Sequence, residues 1–120
     1  MTLVHQLFWL TVAHFALDYP LQGDTTAREK NRHSDTPLQS FVPWFYWLTA
    51  HALCHAGAVS FVTGSVALGL CEFAAHWAID FGKCERWYSI HVDQALHMGC
   101  KLGWVASGLP IQVAAPCQLA

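Results

Sequence analysis

Two long stretches of this chain hold no Asp, Glu, Lys or Arg: Met1 to Leu17, and Thr36 to Cys71. A charge-free run of this length must be buried in protein or lipid, and only helices and closed barrels can satisfy the backbone of a chain immersed in lipid. The composition agrees. The chain is 54% hydrophobic but only 12% charged, against about 25% charged in a typical soluble domain. Mean hydropathy is a modest +0.30, because eight His dilute the apolar segments. The pattern predicts an all-α protein, a four-helix transmembrane bundle with an intramembrane His/Asp cluster. A soluble helical bundle is the alternative.

The 120 residues fit one domain. The expected helices cover about 2–19, 41–62, 65–81 and 86–107. Pro20 ends the first. The polar stretch from Gly23 to Gln39 forms a loop with room for a short surface helix. Ser40 is an expected N-cap for the second helix, and Gly64-Ser65 breaks the second from the third. Gly82 is expected to end the third, and Gly108 with Pro110 the fourth, leaving an irregular tail. Gly57, Gly64, Gly69, Gly99 and Gly103 fit turns or close packing, and Gly99 with Gly103 forms a G-x-x-x-G dimer hint. Arg28, Lys30 and Arg32 fall in the first loop and Lys83 and Arg86 in the third, while the other ends have no Lys or Arg. The positive-inside rule then predicts a multi-pass protein of the cell inner membrane with both termini outside the cytoplasm. Trp44 to Trp47, Trp87 and Tyr88 suit the matching interface. The N-terminus lacks the basic flank and cleavage pattern of a secretory signal.

The chemistry lies inside the apolar segments. The first helix has His14 and Asp18, the second His51 and His55, the third His76 and Asp80, and the fourth Asp93 and His97. Each pair is spaced i,i+4, so both side chains share one helix face. With eight His in 120 residues, one Asp meets a His four positions away with a chance of roughly one in eight. All three helical Asp residues do so, a coincidence of about one in five hundred. Ligands one turn apart on facing helices can hold ions in a bundle core. Imidazole with carboxylate suits Zn²⁺, Fe²⁺ or Mn²⁺, and Zn²⁺ is the leading expectation. Three or four of His14, His51, His76 and His97 would hold it with an Asp. Asp80 or Asp93 would act as general base toward the attacking water. Depth ordering predicts layers of carboxylates, imidazoles, and then a buried Glu72–Lys101 pair. Cross-helix hydrogen bonding that only holds the bundle together is the competing reading of the same residues, and a proton or ion pathway is a third.

Other residues carry less. The five Cys are odd in number and form no C-x-x-C, so neither a disulfide framework nor a zinc knuckle is indicated; most are expected as buried small apolar residues. Trp9, Trp77 and Trp104 read as packing or lipid-facing residues. His5, His33 and His91 have no partner at helical spacing. Six basic residues form no patch, which excludes a nucleic-acid reading.

The segments H-F-A-L-D-Y-P-L-Q (His14 to Gln22) followed by a basic stretch, H-A-L-C-H (His51 to His55), H-W-A-I-D-F-G-K (His76 to Lys83) and D-Q-A-L-H (Asp93 to His97) resemble a family of small integral membrane proteins of unknown function found in bacteria and their phages. The resemblance runs from about His5 to Leu109. It implies a helical membrane bundle and no activity, and it adds Gln22, Lys30, Lys83 and Gln94 to the candidate site. Intramembrane metalloenzymes such as prenyl-protein endopeptidases and ceramidases also place such pairs on bundle helices, a likeness of site only. The expected function is a membrane-embedded metal-binding protein, a metal-dependent hydrolase of a lipid or membrane-proximal substrate. The alternative is a non-catalytic, metal-stabilised protein that binds another membrane protein or a second copy of itself, such as a phage protein acting on the host envelope.

Overall fold

The structure, a computed structural model, describes residues 1–107; the tail expectation and Cys117 lie outside them. The described residues form five α-helices: α1 (Leu3–Asp18), α2 (Gly23–Glu29), α3 (Trp44–Thr63), α4 (Val66–Cys84) and α5 (Ile90–Ala106), with one 3₁₀ turn at Pro37–Ser40. The long helices close a ring: α1 packs on α3 and α5, and α4 packs on α3 and α5. The all-α bundle expectation therefore holds. Capping accounts for the starts of three of the four long helices. Thr2 accepts from the His5 amide at 3.2 Å, Ser65 from Leu68 at 3.2 Å, and Ser89 from Val92 at 3.3 Å, each satisfying an otherwise orphaned first-turn N–H.

Several expected boundaries are corrected. Ser40 sits in the 3₁₀ turn, and Pro43 instead precedes α3. Gly82 does not end its helix; α4 continues to Cys84. Its role is contact: a Cβ there would lie 2.5 Å from the Tyr88 hydroxyl, which donates to the Ile79 carbonyl. Gly64 is the left-handed cap of α3 at φ +70°, a conformation only glycine adopts without cost. Gly69 is the close-packing position, where a Cβ would meet the Ala56 carbonyl oxygen at 2.8 Å. Gly57, Gly99 and Gly103 face open space. Cys54 and Cys71 are exposed rather than buried.

The bundle's polarity is inverted. Leu10, Val59 and Leu68 form a small apolar core, flanked by Val62, Trp104 and Val105. The largest fully buried side chains include Lys101, His14, His55, His76, His97, Glu29 and Glu72, while Phe8, Trp9, Phe15, Leu53, Phe61 and Leu70 are exposed. Among the described residues, no helix is long and apolar enough to cross a membrane, so the four spans expected from sequence find no support in the helices themselves. The inward-facing His, Asp, Glu and Lys lower the mean hydropathy of the segments that carry them.

Candidate metal centre

All four long helices deliver their i,i+4 pairs to one place. Asp18, at the last residue of α1, is the hub. Its Oδ1 lies 2.9 Å from His55 Nε2, 3.2 Å from His51 Nε2 and 3.9 Å from His76 Nε2. Its Oδ2 lies 3.1 Å from His14 Nε2 and accepts from Gln94 Nε2 at 3.0 Å. Asp80, on the last turns of α4, is the second hub. Its Oδ1 is 2.9 Å from His97 Nε2 and 3.6 Å from His76 Nε2, and its Oδ2 is 3.4 Å from His51 Nε2. Asp93 Oδ1 lies 3.7 Å from His97 Nε2. Every one of the eight residues expected from sequence belongs to this cluster, and seven of them are nearly inaccessible to solvent, with Asp18 half-buried.

The cluster is not satisfied by its own hydrogen bonds. The Nε2 atoms of His51, His55 and His76 and the Oδ1 of Asp18 are buried without an aligned partner, as is Asp93 Oδ1. Leaving such groups unpaired ordinarily costs about 1–3 kcal/mol each. Three imidazole nitrogens aimed at one carboxylate oxygen are poorly arranged for N–H···O bonds but well arranged around a cation. Ligand atoms of a tetrahedral Zn²⁺ site with bonds near 2.0–2.1 Å lie about 3.3 Å apart, close to the separations around Asp18 Oδ1. Three overlapping sets have ligand atoms close enough to share an ion: Asp18–His51–His55–His76, His14–His76–His97, and Asp80–Asp93–His97.

The surroundings orient these groups. His76 Nδ1 lies 3.1 Å from Glu72 Oε1, so a carboxylate holds the ring on the side away from the cluster, an arrangement typical of metal-ligating histidines. Glu72 in turn accepts from Lys101 Nζ at 2.5 Å and from Trp104 Nε1 at 2.6 Å. The expected Glu72–Lys101 pair is present, and it adjoins the imidazoles instead of forming a separate layer. Trp104 packs against the apolar core as expected, and its indole N–H also joins this network as a donor to Glu72.

The residues added by the resemblance also meet here. Lys30, from the loop after α2, donates to Asp80 Oδ2 and to Gln22 Oε1, both at 2.7 Å, and Gln22 donates to the Asp18 carbonyl at 3.1 Å. Gln94 bridges His14, Asp18 and Asp93. Lys83 reaches the same region as part of a cavity of about 280 Å³ lined also by Asp18, Asp80, Asp93 and Gln94. His51 alone of the inner imidazoles borders a second, smaller pocket of about 160 Å³, between α1 and α3.

The polar loop is more ordered than its composition suggests. Glu29 is fully buried, held by Thr36 Oγ1 at 2.6 Å and Arg28 Nε at 3.0 Å. The Thr36 hydroxyl, ahead of the Arg28 charge, holds the Glu29 carboxyl below its usual range. Nothing in the sequence distinguished Glu29 from its exposed neighbours. Arg32 clasps Glu85 through two bonds at 2.5 and 2.9 Å, and His33 joins at 3.1 Å, so His33 has a partner that helical spacing could not reveal. His5 pairs locally with the Thr2 hydroxyl. No family model, no curated protein and no solved structure matches this chain.

Proposed function

We propose that this chain is a membrane-embedded metal-binding protein whose His/Asp centre holds a divalent transition ion, Zn²⁺ first among candidates, and that it hydrolyses a lipid or membrane-proximal substrate. The observation that carries the metal is the convergence of buried, unpartnered Nε2 atoms of His51, His55 and His76 on Asp18 Oδ1. A divalent ion satisfies all four atoms at once. When bound, it would supply Lewis acidity next to the cavity. Asp80 and Asp93 line that cavity, so either carboxylate can take a proton from the attacking water, while Lys30 fixes the orientation of Asp80.

The membrane reading rests on surface and charge. Hydropathy averaged along a helix counts both faces, and here the polar side chains point inward. The outward faces keep Phe8, Trp9, Val12, Phe15, Leu53, Phe61, Leu70 and Leu96 exposed, apolar and aromatic side chains of the kind that meet lipid or another protein. Arg28, Lys30, Arg32, Lys83 and Arg86 fall at the end of the bundle that carries the polar loop, and under the positive-inside rule this supports a cytoplasmic position for that end. The resemblance to small integral membrane proteins points the same way.

A second reading has one observation in its favour. Asp18, His51, His55 and His76 make four protein ligands, the number that closes a structural site. On that reading the ion fixes the bundle and the apolar surface receives another membrane protein or a second copy of this chain.

The test is elemental analysis of the detergent-purified protein. Native protein should carry at least one Zn²⁺ per chain, and His51→Ala and His76→Ala should each lose the ion held at Asp18, while His33→Ala keeps it. Well-folded native protein without stoichiometric metal would leave only a hydrogen-bonded bundle. Recovery in the aqueous fraction without detergent would end the membrane reading.

A further inference from the structure

Two of the three ligand sets share no residue. The inner set is Asp18, His51, His55 and His76; the outer set is Asp80, Asp93 and His97. They differ in completeness and in access. The inner set has four protein ligands, and of these only Asp18 borders the 280 Å³ cavity. The outer set has three, of which Asp80 and Asp93 border it. Three protein ligands with one direction facing a cavity describe a site that keeps a position for an exogenous ligand. Asp93 Oδ1, on a residue only 3% exposed, has no hydrogen-bond partner. Asp80 stands between the sets, with its oxygens 3.4 and 3.6 Å from two inner imidazoles.

The cavity that these carboxylates border is also lined by cations. Lys30, Lys83 and Arg86 line it with Asp18, Asp80 and Asp93, three cations against three carboxylates. Lys30 is engaged by Asp80 and Gln22. Lys83 and Arg86 take part in none of the ion pairs formed among the described residues. Arg86 sits at φ +61° as the residue after the C-cap of α4, with its own N–H on the Lys83 carbonyl and the Trp87 N–H on the Gly82 carbonyl, a left-handed helix terminator that carries its side chain to the cavity. Once divalent ions bind the carboxylates, the wall becomes net positive, with two unpaired cations and an open coordination position. Such a site favours an anion with several oxygens.

We propose that Asp80, Asp93 and His97 form a second divalent-metal site, open to the cavity, and that the phosphate group of an anionic substrate binds there against Lys83 and Arg86. This rests on the metal-binding reading above, gives that reading its substrate class, and makes Asp80 and Asp93 ligands of the second ion in place of the general base toward water. The phosphate group belongs either to a lipid headgroup or to a soluble ester.

The test is titration of the full chain in detergent with Zn²⁺, followed by inorganic phosphate. Native protein should take up two ions. Asp93→Asn and His55→Ala should each retain one, and the pair together none, with helical circular dichroism confirming the fold. One ion in native protein, lost in His55→Ala and kept in Asp93→Asn, would overturn the second site and leave the metal-binding reading intact. No bound ion at all would overturn both. The metal-loaded protein should bind phosphate, and Lys83→Ala with Arg86→Gly, the latter relieving the left-handed strain, should weaken it at least tenfold at unchanged metal content. Absent or unchanged phosphate binding would overturn the anion assignment. Displacement of phosphate by phosphatidic acid, but not by phosphatidylcholine, identifies the lipid source; displacement by a soluble phosphomonoester alone identifies the other.

Discussion

The two ends of the bundle are built from opposite chemistry. At one end, where α3 leaves and α4 begins, Leu10, Val59 and Leu68 pack with Val62, Trp104 and Val105. At the other end, the helices meet through imidazoles and carboxylates that are nearly all inaccessible to solvent. Apolar packing is non-directional and tolerates exchange of one aliphatic residue for another. A buried polar network is stable only while each member keeps its partners. The apolar end therefore sets helix spacing, and the polar end confers specific chemistry at the expense of tolerance. Glu72, Lys101 and Trp104 form the seam between them.

The largest effect is expected at that seam. Glu72→Ala leaves the Lys101 ammonium buried without its partner, which costs about 3–5 kcal/mol, and it also frees His76 Nδ1. Lys101→Met should cost clearly less, because Glu72 keeps the Trp104 donor and its contact with His76. Chemical unfolding of both variants measures the order; equal losses would mean that Glu72 acts only as the counter-ion of Lys101.

At the apolar end the expected effect is smaller and steric. Gly69→Ala sets a methyl group 2.8 Å from a backbone oxygen of α3, so α3 and α4 must part, at about 1–3 kcal/mol. Gly57→Ala on α3 meets nothing and should be neutral or stabilising by up to about 1 kcal/mol through helix propensity. Thermal melts of the two variants compare them directly. Similar melting temperatures would show that this end is loosely packed, which would break the contrast.

The smallest effect lies outside both ends. The Arg32 guanidinium, with His33 beside it, holds the Glu85 carboxyl down at about 2. A carboxylate whose folded value lies below its unfolded one stabilises fully above the unfolded value of about 4.5 and loses that contribution as pH falls toward 2. The melting temperature of native protein relative to Glu85→Gln should therefore have a constant margin above about pH 5 and converge with it on acidification. A margin independent of pH would mean that the clasp contributes through shape alone. Because the pair is exposed on the Arg32 side, the margin is expected to be small.

Much of this was legible along the chain. Charge-free runs and caps fixed the number of long helices, and the i,i+4 spacing of His14/Asp18, His51/His55, His76/Asp80 and Asp93/His97 fixed which faces turn inward, because helical periodicity is a local property. Glu72 and Lys101 could be paired by depth alone. The boundaries were less legible: Gly82 reads as a helix stop locally, yet its lack of a side chain serves the Tyr88 ring that returns from the next turn. Local sequence also gave no warning that Glu29 folds under its loop, that Lys30 crosses to Asp80, or that Trp104 turns its N–H to Glu72. These contacts join residues far apart in sequence, and their partners exist only once the helices have closed.

The sequence by itself determined an all-α chain with an inward-facing set of eight His and Asp residues, since propensity, capping and spacing act within a few residues. Only the tertiary structure decided how that set divides. Asp18 gathers three imidazoles into a buried group, while Asp80, Asp93 and His97 are left beside a cavity with two unpaired cations. That division depends on rotamers and on the relative heights of four helices, which are fixed by packing between helices rather than by anything within one.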